Sequence, residues 1–261
     1  MRLHVFAVIA FVATSLFAHA DTWNKEYTVA AKPQLYVDTN DASIRITGAP
    51  GNRIAAHVYT EGYKIGPNDV RIDEKQIGNR VEIFVKIPSR IGIFVKSHWV
   101  HIEINVPTNI DLELRSSDGS LHVFDTKGAA KLTTGDGSIE VTGYDGPFLA
   151  HTSDGSVHLD GRFDNLDVGT SDGSIDCSIR PGSKMTDRWS LRGSDGSIRL
   201  RLPSEFAADL DARTSDGHIY MSIPVMVSGA VGGNSVKGKL NGGGQPFLIR
   251  TGDGSIHIDK F

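Results

Sequence analysis

Residues 134–141 read TGDGSIEV, residues 152–159 read TSDGSVHL and residues 170–177 read TSDGSIDC. Near-identical octets recurring every 18 residues form an internal repeat, and its period decides the fold. The Asp-Gly of this repeat recurs at Asp118, Asp136, Asp154, Asp172, Asp195, Asp216 and Asp253, in steps of 18, 18, 18, 23, 21 and 37 residues. The last step is about two units long, and Gly233-Asn234-Ser235-Val236 reads as a worn copy that fills it. Ser follows the Gly in six of the seven copies, His218 being the exception.

Three and five residues after each Asp the side chains are apolar, as in Leu121/Val123, Ile139/Val141, Val157/Leu159, Ile175/Cys177 and Ile198/Leu200. Between them stand His122, Glu140, His158, Asp176 and Arg199. The same parity precedes the Asp, in Leu112/Leu114, Ala130/Leu132, Phe148/Ala150 and Leu166/Val168. Such alternation turns one face of a strand inward and the other outward. Each unit therefore reads as strand, Asp-Gly turn, strand, looser turn. The Gly is expected to supply a left-handed φ, and the Asp to bond the turn backbone. No segment carries a helical period.

This pattern predicts an all-β fold: a parallel β-solenoid, of the β-helix or β-roll kind, built from two-strand coils of about 18 residues. Like positions would stack roughly 4.8 Å apart. An antiparallel β-meander, with Asp-Gly closing two-residue hairpins, satisfies the same parity. Units of fixed period favour the solenoid, because like stacking on like explains a Thr, Asp, Gly, Ser and Ile at each step. A three-sided hexapeptide helix does not fit, since Asp145 stands six residues after Ile139, where that fold needs an aliphatic.

Upstream, Leu35, Val37, Thr39, Asp41, Ala42, Ser43, Ile44 and Ile46 match the template with Ala in place of Gly. Gly78-Asn79 with Val81 and Ile83 is a weaker match, and Val100, Ile102, Ile104 and Val106 alternate up to Pro107. The organisation expected is a signal peptide over residues 1–20, an irregular N-terminal β cap over 21–110 and the repeat array over 111–261. Residues 255–259, followed by Lys260, are expected to form the far edge of the array and to protect it with charge.

The chain of 261 residues has a formal net charge of −4, with 39% hydrophobic and 22% charged residues. That balance excludes a disordered tail and a membrane bundle. Arg2, an apolar run over residues 5–17 and then Ala18-His19-Ala20 have the form of a secretory signal cut before Asp21. The acidic remainder argues against a nucleic-acid partner. No later stretch reaches the roughly 18 apolar residues of a membrane helix. The expectation is an exported protein (periplasmic, outer-envelope or secreted) with no transmembrane segment after signal removal. Cys177 is the single cysteine; it can form no internal disulfide and occupies an inward position as a small hydrophobe.

The chain resembles the bacterial putative-adhesin family. The residues that carry the likeness are IEINVPTNIDLELRSSDGS (residues 102–120), the repeated TxDGSIxV units and VKGKLNGGGQPFLIRTGDGSIHI (residues 236–258). The resemblance implies a secreted or envelope β-strand-repeat protein, similar to auto-transporter adhesin head domains. It brings no assigned activity and no catalytic residues.

Two columns are candidate sites. Asp118, Asp136, Asp154, Asp172 and Asp195 would line one edge of the solenoid. Turn chemistry accounts for them; the alternative is Ca²⁺ held between turns, although the glycine-rich nonapeptide of calcium-binding β-rolls is absent. The outward column His122, Glu140, His158 and Asp176, continued by Arg199, contains residue types that hold transition metals. Alternating His and acid is equally a set of favourable cross-strand pairs. Glu140 and Asp176 would lie two coils apart, about 9.5 Å at the backbone, near the upper limit of the carboxylate separation in inverting glycosidases. Nothing marks a sugar pocket between them. Arg192, Arg199, Arg201, Arg213 and Arg250 are either a basic patch for anionic glycans or lipid headgroups, or a solvated face.

The sequence thus predicts a non-enzymatic, adhesin-like binding or scaffolding protein. No catalytic residue, cofactor or metal is assigned, and the partner is an unknown envelope or extracellular protein or glycan. The alternatives are a glycan-active lyase- or hydrolase-like β-helix enzyme and a calcium-stabilised secreted β-roll.

Overall fold

The computed structural model describes residues 20–89, 98–224, 226–227 and 233–261. The expected signal segment lies outside these residues except for Ala20. The described residues form strands and turns and contain no helix, so the fold is all-β. The first third supplies β1 (Ala20–Thr28), β2 (Gln34–Thr39), β3 (Ser43–Ala49), β4 (Arg53–Glu61), β5 (Arg71–Ile77), β6 (Arg80–Lys86) and β7 (Trp99–Pro107). The regular repeats give β8 (Asp111–Ser116), β9 (Leu121–Phe124), β10 (Ala130–Thr133), β11 (Ile139–His151), β12 (Val157–Gly169) and β13 (Ile175–Ile179). The remainder gives β14 (Trp189–Arg192), β15 (Ile198–Leu202), β16 (Ala208–Thr214), β17 (Ile219–Met221), β18 (Met226–Val227), β19 (Ser235–Leu240), β20 (Pro246–Thr251) and β21 (Ile256–Lys260).

Among the described residues, strands on either side of an Asp-Gly turn form no ladder with each other, so these turns do not close hairpins. Each strand pairs with its counterpart one winding away, parallel and in step. One ladder joins Ile139 to Val157, Val157 to Ile175 and Ile175 to Ile198. The other joins Leu112 to Ala130, Ala130 to Phe148 and Phe148 to Leu166. The long strands β11 and β12 serve both ladders, and the register shifts between Thr142 and Tyr144 and between Gly146 and Phe148. Gly143 and Gly146 take φ of 70° and 146° at these bends, a region open chiefly to glycine.

The Asp-Gly glycines behave differently from expectation. None of the seven in the repeat turns has a positive φ. Their requirement is spatial, since stacked turns approach too closely for a side chain. A β-carbon on Gly155 would collide with the carbonyl oxygen of Gly137, and one on Gly173 with that of Gly155. The residues around the glycine explain the rest of the motif. The Thr152 hydroxyl donates to the carbonyls of Gly135 (3.0 Å) and Gly137 (2.9 Å) in the previous winding, and accepts the Gly155 N–H (3.3 Å) in its own. Thr170 and Thr214 repeat that arrangement. Ser120, Ser156, Ser197 and Ser255 each accept the backbone N–H one winding on, as Ser156 does from Ser174 (3.2 Å) and Ser255 from His218 (3.3 Å). His218 occupies the last Asp-Gly turn, so no further turn needs a Ser hydroxyl there.

The windings are not stacked in sequence order at the C-terminal end. β20 and β21 pair with β14 and β15, and β16 and β17 lie outside them. The turns therefore run in space as Asp195, Asp253, Asp216. Residues 255–259, expected at the edge, are interior. The worn copy expected at residues 233–236 is absent: β19 starts at Ser235 and runs antiparallel to β16, with β18 antiparallel beyond it. A reversed strand ends the array because its side chains no longer match the repeating columns.

At the other end β2 and β3, which flank Asp41, stack parallel on β8 and β9, with β6 and β7 beyond them. Antiparallel β5, β4 and β1 complete the sheet there. Glu74 on β5 ties these edges together, accepting from the Tyr27 hydroxyl and pairing with Lys25, each at 3.0 Å. The whole sheet is thus mixed, parallel through its middle and antiparallel at both ends.

Between the ladders lies one continuous core that includes Ile44, Leu114, Ile139, Leu159, Phe163, Trp189 and Phe247. Each such side chain contributes about 1.5–3 kcal/mol by leaving water. Cys177 is fully buried among them, and burial raises its thiol pKa far above the ordinary range.

Candidate functional site

The outer side chains of the two ladders form two faces, and the Asp-Gly turns form an edge between them. On the face of β9, β11, β12, β13 and β15 the predicted column is assembled. His122 is in register with Glu140, Glu140 with His158, His158 with Asp176 and Asp176 with Arg199. The row continues through Arg45 and Glu103 to His57 at one end, and through His257 to Tyr220 at the other. Its members are engaged with one another. His122 Nδ1 lies 2.9 Å from Glu140 Oε2, and Asp176 Oδ2 lies 3.9 Å from Arg199 and 3.8 Å from Arg201. Beside the row, Tyr59 stacks on His101 and donates to Glu103 at 2.7 Å. Burial lowers the pKa of His101.

Glu140 and Asp176 stand on either side of His158 rather than converging on a shared space. Among the described residues no group of three or more His, Cys, Asp or Glu side chains is placed to hold a metal ion.

The turn edge carries Asp118, Asp136, Asp154, Asp172 and Asp195 in one exposed column, with Asp41 below them. Backbone bonds fix the stacking: the amides of Ser153 and Asp154 both donate to Gly135 O, and those of Ser171 and Asp172 to Ser153 O. Partial burial, and next the charge of Asp118, raise the Asp41 pKa.

The second face, on β2, β8, β10, β11, β12 and β14, is built from two parallel rows. One runs Glu113, Lys131, Leu149, Asp167, Ser190; the other runs Arg115, Thr133, His151, Gly169, Arg192, Arg250. The five arginines grouped in the sequence are therefore divided. Arg192, Arg213 and Arg250 lie on this face, whereas Arg199 and Arg201 lie on the other. Most have acidic neighbours: Arg192 with Asp167 at 2.8 Å, and Arg250 and Arg213 with Asp211 at 2.9 and 3.1 Å.

A groove of about 420 Å³ crosses the strands of this face. Pro147 and Leu149 contribute apolar lining, Leu149 being 39% exposed. Its carboxylates have internal partners. Asp111 accepts the Ala129 N–H at 2.8 Å, Glu113 pairs with Arg115 at 2.7 Å, and Asp167 pairs with Arg192. Two cations of the lining, Lys131 and Arg188, are exposed and have no carboxylate partner among the described residues. Sequence reading missed this groove. Lys131 and Arg188 are 57 positions apart, and only the parallel register places them on one face.

The family model of the Toastrack DUF4097 domain matches residues 24–259, nearly the whole described chain. The chain belongs to this family. No curated protein matches this Toastrack chain. Among solved structures it is similar to a "putative cell adhesion protein" from Clostridium sporogenes, at 15% identity and a TM-score of 0.46, covering 92% of this chain and 100% of that one. It is also similar to a "putative adhesin" from Parabacteroides merdae, at 9% identity and a TM-score of 0.41, covering 91% and 96%. A third is a "putative lipid binding protein" from Parabacteroides distasonis, at 12% identity and a TM-score of 0.42, covering 92% and 98%.

Proposed function

We propose that this Toastrack chain is a non-enzymatic binding or scaffolding protein of the cell envelope or its exterior, a β-solenoid that offers its sheet faces to an extracellular or envelope partner. One observation carries the reading. The carboxylates best placed for catalysis, Glu140 and Asp176, lie along a single strand-crossing row and are taken up by His122, Arg199 and Arg201. Hydrolysis needs two carboxyl groups aimed at one bond across a cleft; binding needs only an exposed face of fixed shape. The parallel register of the central windings supports the solenoid and gives that face its rigidity. No helix among the described residues is long and apolar enough to cross a membrane.

The test is to immobilise the protein and pass envelope fractions over it. Saturable retention of a component recovered chemically unchanged is the expected result. Conversion of that component to a product, or no saturable retention, overturns the proposal.

A further inference from the structure

We infer that the groove across β2, β8, β10, β11, β12 and β14 binds an acidic glycan chain, laid across the strands and held by Lys131 and Arg188. This deepens the binding reading and rests on it. Glu113 and Asp167 are paired with Arg115 and Arg192, and Asp111 is engaged by the Ala129 amide, whereas Lys131 and Arg188 lack carboxylate partners among the described residues. Lys131 shares its row with Leu149, Asp167 and Ser190, and Arg188 precedes Ser190 by two positions. Three strand spacings across and two residues along the chain thus separate the two cations, about 16 Å at the backbone. A ligand that meets both is elongated and carries spaced negative charges.

The remaining lining chooses among anionic chains. Asp111, Glu113 and Asp167 keep free lone pairs that can accept from hydroxyl groups. A glycan bearing scattered carboxylates supplies hydroxyl donors to these acids and anions to Lys131 and Arg188. A polyacidic peptide has no side-chain donors and would meet the same carboxylates as like charges. Pro147 and Leu149 offer an apolar strip for the carbon face of sugar rings. A broad anionic surface fits less well than a narrow chain, because the exposed Asp column runs along the turn edge of this same face.

The experiment titrates the purified protein with oligogalacturonate and with hyaluronan oligosaccharides, using neutral dextran oligosaccharide and poly-glutamate as comparisons. Saturable binding of at least one acidic glycan is expected, weakening as salt rises. Lys131→Glu and Arg188→Glu should each weaken it about tenfold, the loss of one charge-assisted contact. Arg199→Glu, on the opposite face, should leave it unchanged. The variants alter exposed side chains and should keep the parent melting temperature; a variant that does not is replaced by the corresponding Gln substitution. No acidic glycan bound, equal binding of dextran, or indifference to both charge reversals overturns the inference and leaves the binding reading standing. Poly-glutamate binding as tightly, with the same sensitivity, replaces the glycan by an acidic peptide and overturns it too. Shortening of an oligosaccharide during the titration sinks the non-enzymatic reading itself.

Discussion

The α-carbon of Gly155 faces the carbonyl oxygen of Gly137 one winding earlier, at a separation that leaves no room for a β-carbon. Because the obstacle is backbone, no rotamer change can relieve it. Gly155→Ala should therefore destabilise the protein by about 1–3 kcal/mol or more, the scale of overpacking. Gly66, with open space where its β-carbon would go, is the control: Gly66→Ala should change stability by less than about 1 kcal/mol. Urea unfolding of the two variants checks the contrast, and equal effects would refute the stacking account.

Thr152 bonds two windings together through one hydroxyl. Thr152→Val keeps the shape but leaves the Gly135 and Gly137 carbonyls and the Gly155 amide each without that partner. A loss of about 1–3 kcal/mol is expected, with Thr152→Ser losing less because the hydroxyl survives. The midpoints of chemical denaturation decide it.

The core tolerates no charge. Ile139 and Ile175 are each 1% exposed, so Ile139→Asp or Ile175→Asp should unfold the array by burying an unpaired carboxylate. Cys177 reports the same core from within. A bulky thiol reagent should label it only at the rate at which the protein opens, since burial both shields the sulfur and disfavours the thiolate. Labelling in native buffer as fast as in denaturant would contradict this placement.

Arg162 bridges Asp164 (2.6 Å) and Asp145. Its hydrogen bonds lower the Asp164 pKa; at Asp145 burial acts upward, and the bonds from Arg162 and Lys127 outweigh it, so that pKa is lowered too. A carboxylate with a folded pKa below its unfolded value stabilises fully above the unfolded value, about 3.9, and loses that contribution as pH falls through the folded one. Stability should accordingly drop below about pH 4. Arg162→Gln should flatten that drop while lowering stability at neutral pH. Thermal melts at pH 3, 4, 5 and 7 provide the comparison, and parallel curves for parent and variant would exclude the linkage.

Asp154 belongs to an exposed like-charged column, where charges about 4 Å apart repel by only about 1 kcal/mol in water. Asp154→Asn should leave the melting temperature unchanged or slightly raised at low salt, with the difference vanishing at high salt. Chelation with EDTA should not shift the melt. A marked fall on chelation would place a metal between the turns.

The repeat unit itself was legible without coordinates. Alternation around each Asp is a property of neighbouring residues, and burial follows it from Leu112 to Ile258. The column His122, Glu140, His158, Asp176 was legible for the same reason, because a constant 18-residue step becomes a constant strand register. The role of the turn glycines was not. A sequence shows that Gly137 and Gly155 recur, but not that one presses on the other.

What the amino-acid order alone determined is the all-β class, the inward and outward parity and the winding length, since these depend on contacts inside one unit. The tertiary structure decided the rest: that β20 slips between β14 and β16 and β21 between β15 and β17, that reversed strands end both sides, and that Lys131 and Arg188 meet one groove. The physical reason is that near-identical windings offer near-identical edges. Their order is then chosen by packing among residues far apart in the chain, where local pattern carries no information.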